Sequence, residues 1–340
     1  MKLKIKDVAT AAGVSPATVS KVLTGQEVAY AINAATAERV RRVALELGYV
    51  PDAAARNLRT GRTGQLGVVL AATSPSEPVG ELGELNAAAA LRRTFDGAIL
   101  AGLGEAARQH GVPALVVYPE GPEGEAARFL DGRIDGLLVS RDPLRPHQLL
   151  DHLDPQRLPL VALWTQQTPD AVGHVDADHR GGTRLATEHL LRLGHQQIVY
   201  YGAGREGPEH FALREQGYQD AMRAAGLGGG IQRTHASGRL VSLVEGGCTA
   251  VVAETDLAAA AVARTLNVAG LRVPQDVSLV GFDDMVGAEF IAGGLTTVYH
   301  PAAEMAAQGV VTLLARLAGH PPERLLVPTR LVVRRSTAPR

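Results

Sequence analysis

From residue 66 onward, short runs of Val, Leu, Ile and Ala alternate with stretches whose apolar residues recur at helical spacing, and few folds tolerate that alternation. The runs at 66–70, 114–118, 136–140, 160–163, 198–201, 250–253 and 277–281 are almost free of polar residues. Helix-compatible segments lie beside them, among them 102–110, 182–193 and 257–268. A strand that is apolar on both faces must be covered on both, so the pattern predicts parallel sheets with helices on each side. The stretch 73–86, rich in Pro, Gly, Ser and Glu, reads as a loop. A chain of 340 residues exceeds one core, so two or three domains are expected.

The first fifty residues follow a different rule and read as three short helices. Ile5, Val8, Ala9 and Ala12 fall at helical spacing, and Gly13 then permits a tight turn. Ser15 is placed to cap a second helix, with Pro16 at its first position and Val19, Val22 and Leu23 facing inward. Asn33 is placed to cap a third, with Val40, Val43, Ala44 and Leu47 inward and Gly48 ending it. Pro51 marks a break, and residues 52–58 have room for one more short helix.

Charge follows the same division. Residues 1–62 carry ten Lys/Arg against five Asp/Glu, whereas the remainder carries 24 against 30, which hides behind a net charge of −1. A basic head on an acidic body suggests a polyanion-binding module joined to a domain that avoids polyanions. Two helices around a Gly-containing turn, from Ile5 to Leu23, form a helix-turn-helix, whose second helix enters the major groove while the first crosses the backbone. The short polar Ser15, Thr18 and Ser20 suit phosphate contacts, and Pro16, Ala17 and Lys21 would face base edges.

These residues resemble the lactose-repressor/galactose-repressor (LacI/GalR) family. The matching words are Asp7-Val-Ala, Ala12-Gly-Val-Ser-Pro-Ala-Thr-Val-Ser20, Arg39-Val40 and Leu47-Gly-Tyr-Val-Pro51, followed by Ala55-x-x-Leu58. In the body they are Gly136-Leu-Leu-Val, Val175-Asp-Ala-Asp178 with Gly182, His189-Leu-x-x-Leu-Gly-His195 and Leu213-Arg-Glu-Gln-Gly-Tyr218. Val273-Pro-Gln-Asp-Val-Ser278, Val280-Gly-Phe-Asp-Asp284 and Leu295-Thr-Thr-Val298 complete them. The resemblance implies an N-terminal all-α helix-turn-helix head (1–50), a hinge helix or linker (51–62) and an α/β periplasmic-binding-protein-like body (63–340). That body would hold two Rossmann-like subdomains, about 63–163 with 292–322 and about 164–291 with 323–340. It also implies that residues 52–60 fold as a helix on operator DNA, with Leu58 wedged into the minor groove and Arg56, Arg59 and Arg62 on flanking phosphates. A core leucine in a short linker helix is the other reading of Leu58. Thr24 and Asn33 fall among the expected phosphate contacts, although Thr24-Gly25 replaces the family's usual Asn-Gly and the loop 26–32 is longer.

For the body, the resemblance implies a small-molecule effector, sugar-like, in a cleft at the carboxyl ends of the strands. Arg214 and Asp283 stand at the positions expected to read hydroxyl groups, with fork donors and a carboxylate acceptor. Thr255 and Asp256 fall on the family's Asn-Asp pair, and Trp164 ends a strand, either to stack on a sugar face or to fill a core. The first subdomain lacks the family's Asp-x-x-Asn-Pro-Phe-Phe word after Leu70, with an apparent insertion at 72–93. A regulator gated by a protein partner, or ungated with a vestigial cleft, is therefore the alternative function.

Other signals point elsewhere and are weaker. Gly202-Ala-Gly204-Arg-Glu-Gly207 fits G-x-G-x-x-G, but no strand-end acid follows about 20 residues later. His174, Asp176, Asp178 and His179 form a dense cluster, yet alternate residues of a strand point to opposite faces, and Asp178 suits a helix cap. No nucleophile elbow accompanies the scattered Ser, His and Asp, so no catalytic residues, cofactor or metal are expected and the chain is not read as an enzyme. The single cysteine, Cys248, sits in an apolar setting and suits a buried small hydrophobe. There is no secretory pattern and no membrane-length apolar run, which points to the cytoplasm and excludes a membrane partner. With no leucine-heptad tail before Arg340, a homodimer on operator double-stranded DNA is expected.

Overall fold

A computed structural model describes every residue except 1–2, 26, 51–60, 71–83, 118–128, 141–149, 151, 203–208, 229 and 233–236. The chain divides into two compact units, Met1–Thr63 and Gly64–Arg340.

In the first unit, α1 (Ile5–Ala12), α2 (Pro16–Leu23) and α3 (Ala34–Glu46) close on one small core. Val8, Ala9 and Ala12 meet Val19 and Val22 of α2 and Ala37, Val40 and Ala44 of α3. Gly13 turns the chain at φ 64°, a left-handed conformation that favours glycine. The Ser15 hydroxyl accepts the Thr18 N–H at 3.1 Å and starts α2, and the Asn33 carbonyl oxygen accepts the Thr36 N–H at 3.0 Å and starts α3. Across the bundle, Arg39 Nε donates to the Ala12 carbonyl at 3.1 Å and ties α3 to the end of α1. Leu47, expected inward, is exposed: α3 ends at Glu46 and Leu47 only caps it.

The second unit contains two six-stranded sheets. The first is built from β1 (Leu66–Val69), β2 (Ala114–Val117), β3 (Gly136–Ser140), β4 (Leu160–Leu163), β5 (Gly173–Ala177) and β11 (Arg324–Val327), in the order β11-β5-β4-β3-β1-β2 and parallel throughout. The second takes β6 (Ile198–Tyr201), β7 (Gly230–Gln232), β8 (Ala250–Ala253), β9 (Ser278–Asp283), β10 (Thr296–Tyr299) and β12 (Arg330–Val332), ordered β12-β10-β9-β8-β6-β7. Only β12 runs antiparallel to its neighbour. Helices α4 (Glu84–His110) and α9 (Ala302–Leu317) cover one face of the first sheet, where Ile99, Leu103, Met305, Val310 and Leu313 meet Leu66, Val68, Leu138 and Val161. On the second sheet, α5 (His179–Arg192) and α6 (Glu209–Ala224) lie over one face, and α7 (Ser237–Glu245) and α8 (Asp256–Val268) over the other.

The chain crosses between the sheets three times: after β5, after β10, and at residues 328–329 between β11 and β12. Sheet membership shifts the expected subdomain limits. Strands β5 and β11 extend the first sheet, whereas β10 belongs to the second. Short polar-containing runs such as Gly-His-Val-Asp-Ala (173–177) conceal such strands from a reading based on apolar continuity. Residues 84–86, expected in a loop, open α4, so the apparent insertion is partly helical.

Candidate functional site

Both sheets reverse their order of succession once, β2-β1-β3 in the first and β7-β6-β8 in the second. At such a switch point the connections leave in opposite directions and open a crevice beyond the strand ends. In the second sheet, that crevice lies beyond Tyr201 and Ala253, and Gly202 and Glu254 are its first residues. Arg214, on α6, reaches this point. One Nη donates to the Glu254 carbonyl, the other to Asp283 Oδ1 at 3.1 Å, and Nε donates to His179 Nδ1 at 3.3 Å. The guanidinium also lies 3.7 Å from the centre of the Phe282 ring, which supports it as a cation–π partner. Arg214 and Asp283 are both nearly inaccessible, so the structure unites the two residues expected to read an effector.

Asp283 ends β9 at φ 121° and Asp284 follows at φ 52°, left-handed conformations that turn the two carboxylates away from each other. Asp284 Oδ1 instead accepts from Arg334 at 2.7 Å. Burial raises the Asp283 carboxyl, while the Arg214 charge pulls it back. Asp256 is fully buried; Oδ1 accepts from the Thr297 hydroxyl and Oδ2 from the Met285 N–H at 2.9 Å. Burial, then the neighbouring Asp283 charge, raises its carboxyl. The Thr255 hydroxyl accepts the Ala258 N–H at 3.0 Å and caps α8. Thr255 and Asp256 thus hold the start of α8 and brace β9–β10.

The first-sheet side of the crevice is met at Trp164, the residue after β4, held at φ 61°. It is half-buried, and its indole N–H donates to His300 Nε2 at 3.0 Å. Beside it, the Thr165 hydroxyl donates to Glu209 at the start of α6 at 2.9 Å, and Gln166 Nε2 donates to Asp176 Oδ2 at 3.0 Å. Because His179 Nδ1 accepts from Arg214, its proton sits on Nε2, which faces Asp176 Oδ1 at 3.3 Å. Burial drives His179 and His300 well below the usual imidazole range, His179 further aided by the Arg214 charge and His300 by His179 and then Arg214. Both are neutral at pH 7, and burial raises Asp176.

Sequence reasoning missed His300, Glu254, Glu209 and Gln166, and treated Asp176 and His179 only as a metal pattern. Their common signal is position: Trp164, Glu254 and His300 each directly follow the last residue of a strand. Of the metal pattern, Asp178 caps α5 by accepting the Gly181 N–H at 2.7 Å, and His174 Nδ1 lies 3.1 Å from the Thr168 hydroxyl. Among the described residues no group of three or more His, Cys, Asp or Glu is arranged to hold a metal. Cys248 is buried, with its thiol toward the Ala250 carbonyl. Residues 203–208 of the glycine-rich word lie outside the described residues. No described helix is long and apolar enough to cross a membrane.

In the head, Ser15, Pro16 and Ala17 are exposed at the start of α2, and Thr18 and Ser20 are half-buried. Lys21 Nζ lies 3.5 Å from the centre of the Tyr30 ring. The Thr24 hydroxyl donates to the Ser20 carbonyl at 2.7 Å, and Asn33 spends its side-chain oxygen on capping α3. Arg56, Leu58 and Arg59 lie outside the described residues.

A family model for bacterial regulatory proteins of the lacI family matches residues 4–52, and one for a periplasmic binding protein-like domain matches residues 187–337. The HTH-type transcriptional regulator CelR of Thermobifida fusca is 32% identical over 351 aligned residues, covering 97% of this chain and 96% of the relative. GalS of Salmonella typhimurium, also an HTH-type transcriptional regulator, is 30% identical, covering 89% and 87%. Among solved structures, the complex of transcriptional regulator CelR with cellobiose matches with a TM-score of 0.67 at 29% identity, covering 98% of this chain and 99% of that one. The lac repressor dimer bound to operator and the anti-inducer ONPF matches with a TM-score of 0.73 at 26% identity, covering 99% and 100%.

Proposed function

This chain belongs to the lacI family of bacterial regulatory proteins, and on that premise we propose that it is a sequence-specific transcription repressor whose operator affinity is set by a sugar-like effector. The observation that carries the DNA-binding half is the head itself. A closed three-helix core leaves the start of α2 exposed at Ser15, Pro16 and Ala17, where a groove-reading helix needs its base contacts. Lys21, Thr18, Ser20, Thr24 and Asn33 line the surface for phosphate and base contacts, as does residue 51–62 hinge chemistry through Arg56, Arg59 and the Leu58 wedge. Two heads of a homodimer would read the two halves of a pseudo-palindromic operator, as the operator-bound lac repressor dimer suggests.

The effector half is supported by the convergence of Arg214, Asp283 and Trp164 on one crevice between the two sheets. Effector hydroxyls there would exchange the present Trp164–His300 and Thr165–Glu209 bonds for bonds to the ligand. An effector regulates only by binding two arrangements unequally, typically with about 1–3 kcal/mol of coupling. The body thus acts through binding and dimerisation rather than catalysis, and a partner of this kind, operator DNA, places the protein in the cytoplasm. Selection of random duplex DNA on the purified protein should enrich one palindromic sequence. Enrichment of none, with and without a panel of sugars, overturns the proposal. Enrichment of an operator that no sugar releases or tightens would instead favour gating by a protein partner.

A further inference from the structure

The crevice has an unusual charge inventory. Arg214 is the only buried Lys or Arg among the described residues, whereas Asp176, Glu254, Asp256 and Asp283 are all buried around it. Its charge is matched by Asp283, and three of its five N–H donors are taken by Asp283, His179 and the Glu254 carbonyl. Burial raises Asp256 and Asp283, so this wall already resists further negative charge. The two imidazoles nearest it, His179 and His300, are neutral and add no positive charge.

A second, independent observation concerns the helices that start after β5, β6, β8 and β10. Helix N-termini beyond parallel strands are the usual seats for phosphate and carboxylate groups. Here each carries its own acid. Asp178 caps α5, Glu209 lies in the first turn of α6, Asp256 in that of α8 and Glu304 in that of α9. Asp178 and Glu209 already accept backbone N–H groups, from Gly181 and Gln166 respectively.

We propose that the crevice selects its effector by charge, accepting an uncharged polyhydroxylated molecule and rejecting the phosphorylated or carboxylate-bearing form of the same carbohydrate. The proposal rests on the crevice being the effector site. Hydroxyl groups donate to the carboxylates and accept from the two remaining Arg214 N–H groups. A phosphate or carboxylate finds the one guanidinium paired and the helix ends capped. Like charges brought together across an interface are costly enough for at least about 30-fold weaker binding of the anionic form.

Two measurements on the full-length protein test this. The first follows thermal unfolding with matched sets: glucose, glucose 6-phosphate and gluconate; ribose and ribose 5-phosphate; cellobiose and cellobionate. A neutral member should raise Tm while its charged counterpart does not, and an anionic member binding within about 30-fold of its neutral parent, or better, overturns the proposal. The second needs no effector. Trp164 is the single tryptophan of the chain, so its fluorescence reports the local potential. Relative to acrylamide, caesium should quench it more than iodide at equal ionic strength; the reverse order overturns the proposal. If no sugar of any set binds, the effector reading itself fails for those scaffolds, and the quencher order still decides the sign of the crevice.

Discussion

Arg214 is held by a carboxylate, an imidazole and a carbonyl on three different segments, and so links α6, α5, β8 and β9 at one point. Replacing it leaves Asp283 buried without its partner, a loss worth about 3–5 kcal/mol for a broken buried pair. Arg214→Ala should therefore abolish the sugar response in a release assay while the operator affinity of the head is kept; a full response from that variant removes Arg214 from the site. Asp256 makes a pH-dependent contribution. Burial lifts its carboxyl from near 3.8 to about 8, so the folded state holds a proton that the unfolded state has lost. The associated stability is present below about pH 4 and disappears as pH rises toward 8. Asp256→Asn keeps the neutral form at every pH. Its urea midpoint relative to the parent should rise between pH 5 and pH 8, and a flat difference contradicts the assignment.

At the scale of elements, two helix pairs are pinned at glycine. A Cβ on Gly217 of α6 would strike the Arg180 carbonyl of α5, and one on Gly102 of α4 would strike the Ala303 carbonyl of α9. Backbone cannot yield as a side chain can, so Gly217→Ala should cost about 1–3 kcal/mol, read from chemical denaturation. An unchanged midpoint would mean that α5 and α6 can separate freely. In the hinge, Leu58→Gly should weaken operator binding far more than binding to random duplex at low salt, because a wedge acts only on the bent site. Equal losses would make Leu58 a plain linker residue. The three head helices, their capping residues Ser15 and Asn33 and the turn at Gly13 are legible in the sequence, because each is set by side chains within four residues. The strands β5, β10, β11 and β12 were not legible as strands, because β5 and β10 carry polar residues that the tertiary structure buries and β11 and β12 are half-exposed edges.

At the scale of the molecule, the cores of Met1–Thr63 and Gly64–Arg340 are separate. Calorimetry should then resolve two transitions, with operator DNA raising the one that belongs to the head and an effector raising the other. A single transition that both ligands move alike would show the two units to be one cooperative body. The amino-acid sequence alone determined the head, the class of the body and the pairing of Arg214 with Asp283, since local caps, apolar periodicity and short motif words carry that information. Which sheet each strand joins, and hence where the three crossovers fall, was decided only in three dimensions. The same holds for His179, His300, Asp176 and Glu254, whose roles depend on polar atoms brought together from segments far apart in the chain. Periodicity reports which face of an element is buried, and it carries no record of which distant polar group that face will meet.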